Sequence, residues 1–114
     1  MDLRLDVTEQ DGVVVLTAGG EIDVSTAPAL RQELVELAAA GSGSVVVDLQ
    51  GVDFLDSTGL GVLVSGLKRF RTGGSDLLIV TTSPRILKVF EITGLTQVFS
   101  MYATVDDAVA AARA

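Results

Sequence analysis

Residues 45–64 read VVVDLQGVDFLDSTGLGVLV. The first five, VVVDL, are a short, strongly β-prone run bounded by turn residues, and they predict a buried central strand. From Ser57 onward the periodicity changes. Leu60, Leu63, Val64 and Leu67 fall at i, i+3, i+4 and i+7, which is one face of a helix running to about Thr72. Lys68, Arg69 and Arg71 enrich its last turn, where the macrodipole favours cations, and Gly73-Gly74 ends it. QGVDF leads from the strand to the helix. The seam between them carries Asp56, Ser57 and Thr58.

The rest of the chain extends this strand–helix unit in both directions. DLRLDVT at 2–8 alternates apolar and polar residues, as a half-buried strand does. A Gln-Asp-Gly turn at 10–12 joins it to VVVLT at 13–17, which predicts a hairpin. In GGEIDVSTAP at 19–28 two glycines and two acids precede Ser25 or Thr26 as a helix cap, with Pro28 in the first turn. That helix carries Leu30, Leu34, Leu37 and Ala38 on one face to about Ala40, and GSGS at 41–44 stops it. LLIV at 77–80 is a further buried strand, and Ser83-Pro84 opens a helix that ends before Gly94. A short strand is expected near 97–100, then a terminal helix capped by Thr104 with Asp106 and Asp107 in its first turn. The order ββαβαβαβα implies an α/β fold with a mixed or mostly parallel sheet. No repeat, linker or low-complexity tract divides residues 1–114, so a single domain is expected.

Composition narrows the chemistry. The chain has no cysteine and no histidine, which removes thiolate nucleophiles, zinc–sulfur sites and imidazole bases. Its net charge is −7, and the charge is uneven: residues 1–67 hold eleven acids against Arg4 and Arg31. Nucleic acid is therefore not an expected ligand, since phosphate binding needs a basic surface. A basic protein partner fits the charge; so does solubility alone. The start, MDLRLDVTEQ, has no apolar h-region, and no apolar run approaches membrane-spanning length. A cytoplasmic protein off the membrane is the expectation.

Ser57 has three readings. As a nucleophile it needs a base, and Lys68, on the same helix, lies roughly 16 Å away by helix rise. The nucleophile-elbow pattern G-x-S-x-G also fails, because position 55 is Leu. A P-loop reading of GVLVSGLK at 61–68 fails at Leu67, where lysine is required. Asp23, Asp48, Asp53 and Asp56 match no metal-binding loop spacing, and no cofactor is implied. As a cap, Ser57 or Asp56 would satisfy a free N–H of the first turn. As a modification site, a serine at a helix start is exposed, and helix N-termini accommodate phosphate.

The segments GGEIDVSTAPALRQEL (19–34), VVVDLQGVDFLDSTGLGVLV (45–64) and PRILKVFEITGL (84–95) resemble the bacterial anti-sigma factor antagonists, single-domain STAS proteins. The resemblance covers nearly the whole chain and rests on D-S-T-G-L-G after a strand together with G-E-I-D. It implies the STAS fold, a mixed sheet of four or five strands with about four helices mainly on one face. It implies a non-enzymatic protein that binds an anti-sigma factor with serine kinase activity and so frees a sigma factor. Ser57 would be the phosphoacceptor, reset by a serine phosphatase. Asp56 and Thr58 would present it, and Gly59 and Gly61 would keep the helix start open to the partner. Asp23, with Glu21 and Ser25, would form a second contact region. The alternatives are a STAS scaffold subunit of a larger signalling complex and, less in keeping with the residues, a phosphoester-handling enzyme.

Overall fold

The computed structural model of the chain describes residues 2–114. Strands β1 (Leu3–Gln10) and β2 (Val13–Ile22) form an antiparallel hairpin, closed by Asp11 and Gly12 with φ of 52° and 82°. Positive φ at both turn positions matches the right-handed twist of the two strands. Helix α1 (Ala27–Ala39), strand β3 (Val45–Leu55), helix α2 (Ser57–Thr72), strand β4 (Leu77–Val80) and helix α3 (Pro84–Ile92) follow. A 3-10 turn (Leu95–Gln97), strand β5 (Ser100–Tyr102) and helix α4 (Val105–Arg113) complete the order. The sheet runs β1-β2-β3-β4-β5; every pair after the hairpin is parallel.

Alternation in β3 divides the core. Val45, Val47 and Leu49 face a cluster with Leu30 and Leu34 of α1, Leu63, Leu67 and Phe70 of α2, and Ile86 and Phe90 of α3. Phe90 meets Phe99 edge-on, with ring centres 5.5 Å apart. Val46 faces the other way, joining Val13, Val15, Leu78 and Val80 under Ala108 and Val109 of α4. Three helices on one face and one on the other is the arrangement expected of the mixed sheet.

Several boundaries differ from those read in the sequence. β2 continues through Gly19-Gly20 to Ile22, and β3 continues from Leu49 to Leu55, so GGEI belongs to a strand and not to a loop. The glycines act as bending points within the ladder. Its register shifts between Thr17 and Gly19 and again between Gly20 and Glu21. Gly20 has φ +106°, and a side chain there would strike the Asp2 carbonyl. At the far edge, Leu95–Gln97 coil into the 3-10 turn, and the strand expected near 97–100 lies at Ser100–Tyr102. The α2 boundaries coincide with those expected.

The parallel β2–β3 pair ends with Glu21 opposite Phe54 and Ile22 opposite Leu55. α2 therefore starts directly over the end of β2. Gly59 makes that approach feasible: a Cβ there would overlap the Ile22 Cγ2 methyl and stand 2.8 Å from Leu55 Cδ1. Gly61, one residue beyond Leu60, has nothing within 4 Å of such an atom. Gly59→Ala is accordingly expected to lower unfolding free energy by about 1–3 kcal/mol through overpacking. Gly61→Ala is expected to raise it by about 0.5–1 kcal/mol, as alanine is the better helix former. Urea titration of both variants checks the opposite signs.

Candidate functional site

The carboxyl ends of β2 and β3 bring two loops together at one edge of the sheet, the position where open α/β sheets carry their sites. The first loop runs from Glu21 to Thr26. Its centre is the Asp23 carboxylate, whose Oδ1 accepts from the Ser25 backbone N–H at 2.8 Å and the Ser25 hydroxyl at 2.7 Å. The same oxygen accepts from the Thr26 N–H at 3.1 Å. Thr26 Oγ1 donates to the Glu21 carbonyl at 2.8 Å and accepts from the Asp23 N–H at 2.9 Å. Thr26 precedes α1, but its side chain gives the helix no cap; it closes the loop on itself.

These bonds act on the Asp23 charge. The Ser25 hydroxyl, then the backbone N–H groups of Thr26 and Ser25, hold its carboxyl below the ordinary value of 3.8, against a desolvation effect that pushes it up. Hydrogen bonds to the charged form favour that form. Asp23 is therefore a fixed negative charge at neutral pH.

The second loop is the seam. Asp56 has extended backbone at φ −99° and ψ −176°, and its Oδ1 accepts from the Gly59 N–H at 3.0 Å. The Asp56 carbonyl accepts the first helical bond from Leu60, at 2.9 Å. Of the two residues that the sequence offers as the cap, Asp56 is the cap and Ser57 is the first helical residue. Ser57 and Thr58 are both exposed, and among the described residues neither hydroxyl enters a hydrogen bond. Their N–H groups belong to the first turn, which has no preceding carbonyls to satisfy it. The Asp56 N–H donates to the Ile22 carbonyl at 3.2 Å and ties the two loops together.

The site residues read from the sequence thus fall at one edge: Glu21, Asp23 and Ser25 on one loop, Asp56, Ser57 and Thr58 on the other. Gly61 lies on the exposed side of α2. Gly59 is a correction. It does not keep the surface open to a partner; it is buried, and its missing side chain accommodates Ile22 and Leu55. Asp48 lies apart, buried in mid-strand. Among the described residues no group of three acidic side chains could hold a metal ion, and no helix is long and apolar enough to cross a membrane. Sequence reading overlooked Phe54, exposed beside Asp53, and Arg85, whose guanidinium donates to the Asp53 carbonyl at 3.4 Å. The period-two signal that could expose Phe54 is broken by a register shift.

A family model described as STAS domain matches residues 4–108. A protein of Staphylococcus aureus (strain NCTC 8325 / PS 47) named Anti-sigma-B factor antagonist is 40% identical over 95 residues, 83% of this chain and 88% of that protein. The Anti-sigma-B factor antagonist of Bacillus subtilis (strain 168) is 37% identical over 103 residues, 90% of this chain and 94% of that one. The crystal structure of an anti-sigma factor antagonist from Mycobacterium paratuberculosis superposes with a TM-score of 0.92 at 34% identity, covering 99% of this chain and 96% of the other.

Asp56→Ala is expected to cost about 1 kcal/mol of stability through the lost cap, whereas Ser57→Ala changes it by less than about 0.5 kcal/mol. Equal losses in denaturant titration would assign the cap wrongly. Ser25→Ala is expected to raise the Asp23 titration midpoint toward 3.8, read by NMR of the side-chain carboxyl. Because the folded value lies below the unfolded one, the stabilisation from this group is present above the unfolded value. It is lost as pH falls through the folded value, and Ser25→Ala makes that loss smaller.

Proposed function

This chain belongs to the STAS domain family, and we propose that it acts there as an anti-sigma factor antagonist switched by phosphorylation of Ser57. The observation that carries the switch is the division of labour at the start of α2. Asp56 holds the helix, and the Ser57 hydroxyl beside it is exposed and holds nothing. A modification at Ser57 therefore removes no bond on which the fold depends.

The unphosphorylated edge binds an anti-sigma factor that is also a serine kinase, through Asp23, Asp56, Thr58 and Gly61, with Glu21 and Ser25 at the margin. Binding withdraws the anti-sigma factor from its sigma factor. The kinase supplies ATP, so this chain needs no cofactor and is a substrate, not an enzyme. Ser57 Oγ attacks the γ-phosphorus, the oxygen–phosphorus bond forms, the bond to the β-phosphate oxygen breaks, and ADP leaves. The hydroxyl proton passes to a base of the kinase. A serine phosphatase reverses the state: water attacks phosphorus, inorganic phosphate departs and the hydroxyl is restored.

The phosphate brings about −1.5 to −2 charges and three acceptor oxygens. The free N–H groups and dipole at the start of α2 stabilise it where it stands, so the fold survives. The partner meets added bulk and a dianion that must be stripped of water before contact. Residues 1–114 act as a single domain in the cytoplasm without nucleic acid, in keeping with the acidic charge and the extent of the STAS match.

Each anti-sigma factor kinase of the source genome is incubated with the purified chain and ATP to find the one that labels it. Ser57→Ala is expected to escape labelling and to retain wild-type affinity for that kinase. Ser57→Glu is expected to bind about tenfold or more weakly while melting at the wild-type temperature. Wild-type labelling of Ser57→Ala would overturn the assignment.

A further inference from the structure

Two large apolar side chains stand exposed toward the carboxyl ends of β2 and β3: Val24, 70% exposed, and Phe54, 40% exposed. A bulge turns Phe54 outward. Gly20 pairs with Val52, and the next residue of β2, Glu21, pairs with Phe54, which leaves Asp53 as an extra residue on β3. In a regular strand Val52 and Leu55, three apart, would point to opposite faces. The bulge resets the alternation, so both enter the core at 3% and 4% exposure while Asp53 and Phe54 stand outside. An aromatic ring carries a large hydrophobic surface, and here the backbone is bent so that the ring meets water.

The backbone under both side chains is held in advance. Val24 follows Asp23 in the loop closed by Ser25 and Thr26, and that loop is tied to Asp56 through the Ile22 carbonyl. The Phe54 backbone is held by its place in the ladder opposite Glu21. Binding then orders side chains and not the loops that carry them, which lowers its entropic cost. The surroundings specify the other side. Glu21 pairs with Phe54 across the ladder, Asp53 precedes Phe54 and Asp23 precedes Val24, while the Arg85 guanidinium donates to the Asp53 carbonyl. An apolar centre with an acidic margin complements an apolar socket bordered by lysine and arginine.

We propose that Phe54, with Val24 on the neighbouring loop, is the apolar anchor by which this chain seats in a basic-rimmed socket of its anti-sigma factor; this rests on the function proposed above. Ser57 lies three residues beyond the anchor, just past the end of β3. A phosphate there holds the two surfaces apart and keeps the ring from reaching its socket.

Association of the wild-type chain with the kinase that labels Ser57 is measured by surface plasmon resonance. Phe54→Ala is expected to weaken binding about tenfold or more, almost entirely through faster dissociation, and Phe54→Leu to retain most of the affinity. Val24→Ala is expected to have the same sign and a smaller effect. Added salt is expected to slow association of all variants alike, with the ratio of their dissociation rates unchanged. Circular-dichroism melting checks that each variant folds, and sedimentation of the chain alone tests a second copy as the occupant. If the wild type binds and Phe54→Ala binds within twofold of it, the anchor is wrong and the function stands. If Phe54→Ala instead dissociates a dimer of the chain alone, the occupant is a second copy and the anchor is again wrong. If the wild type binds no anti-sigma factor, the function fails and the anchor fails with it.

Discussion

Ile22 and Gly59 meet where the end of β2 passes under the first turn of α2, and the candidate site is built on that contact. The glycine lets the helix settle onto the Ile22 and Leu55 side chains. The Ile22 carbonyl takes the Asp56 N–H, and Asp56 then caps the helix that Gly59 has brought close. Sterics and hydrogen bonding fix the same geometry here, so neither loop can shift without the other. A side chain at position 59 would press on Ile22 and Leu55, so that the helix start or those two side chains must shift. The edge inherits the rigidity of the core beneath it, since Ile22 is fully buried and Leu55 nearly so.

That rigidity assigns separate work to neighbouring residues. Asp56 and Ser57 are adjacent and both suit a helix start, yet only Asp56 holds the helix. Asp23 spends its hydrogen-bonding capacity within its own loop, where the bonds from Ser25 and Thr26 keep it ionised and oriented. Structural polar groups are thus satisfied internally, and the hydroxyl of Ser57 is left free. A group with no structural duty can be modified without a folding penalty.

The sequence was most legible where local chemistry and periodicity agreed. α2 begins and ends where its cap, apolar stripe and terminal glycines place it, and β4 is bounded by turn residues on both sides. Legibility failed at the far ends of β2 and β3, which were expected to finish at Thr17 and Leu49 and instead run on through their glycines. Gly19, Gly20 and Gly51 are breakers in isolation, but between paired strands they absorb the register shifts that let β2 and β3 reach the site. The bonds of Asp23 join residues two and three apart, yet they were not readable because they depend on which way its carboxylate turns; the fit of Gly59 depends on Ile22, distant in sequence. The residue types at the edge were visible from the motif; their division into structural and available groups needed the third dimension.

On the proposed reading, electrostatics alone does not explain how a phosphate ends binding. A basic-rimmed partner drawn to Glu21, Asp23 and Asp53 would be drawn further by two more negative charges at Ser57. The helix N-terminus also accommodates the phosphate in place, so release does not come from unfolding. Close fit resolves the conflict. Ser57 projects from a helix start held immobile by Ile22 and Asp56, so the edge cannot recede to make room for a phosphoryl group. Its bulk and its hydration shell then fall between two surfaces whose affinity depends on apolar contact at van der Waals distance. A small gap forfeits much of that contact energy, and stripping water from a dianion adds a cost that long-range attraction does not offset. The same rigidity that holds the unmodified edge ready for its partner therefore makes one phosphate sufficient to exclude it.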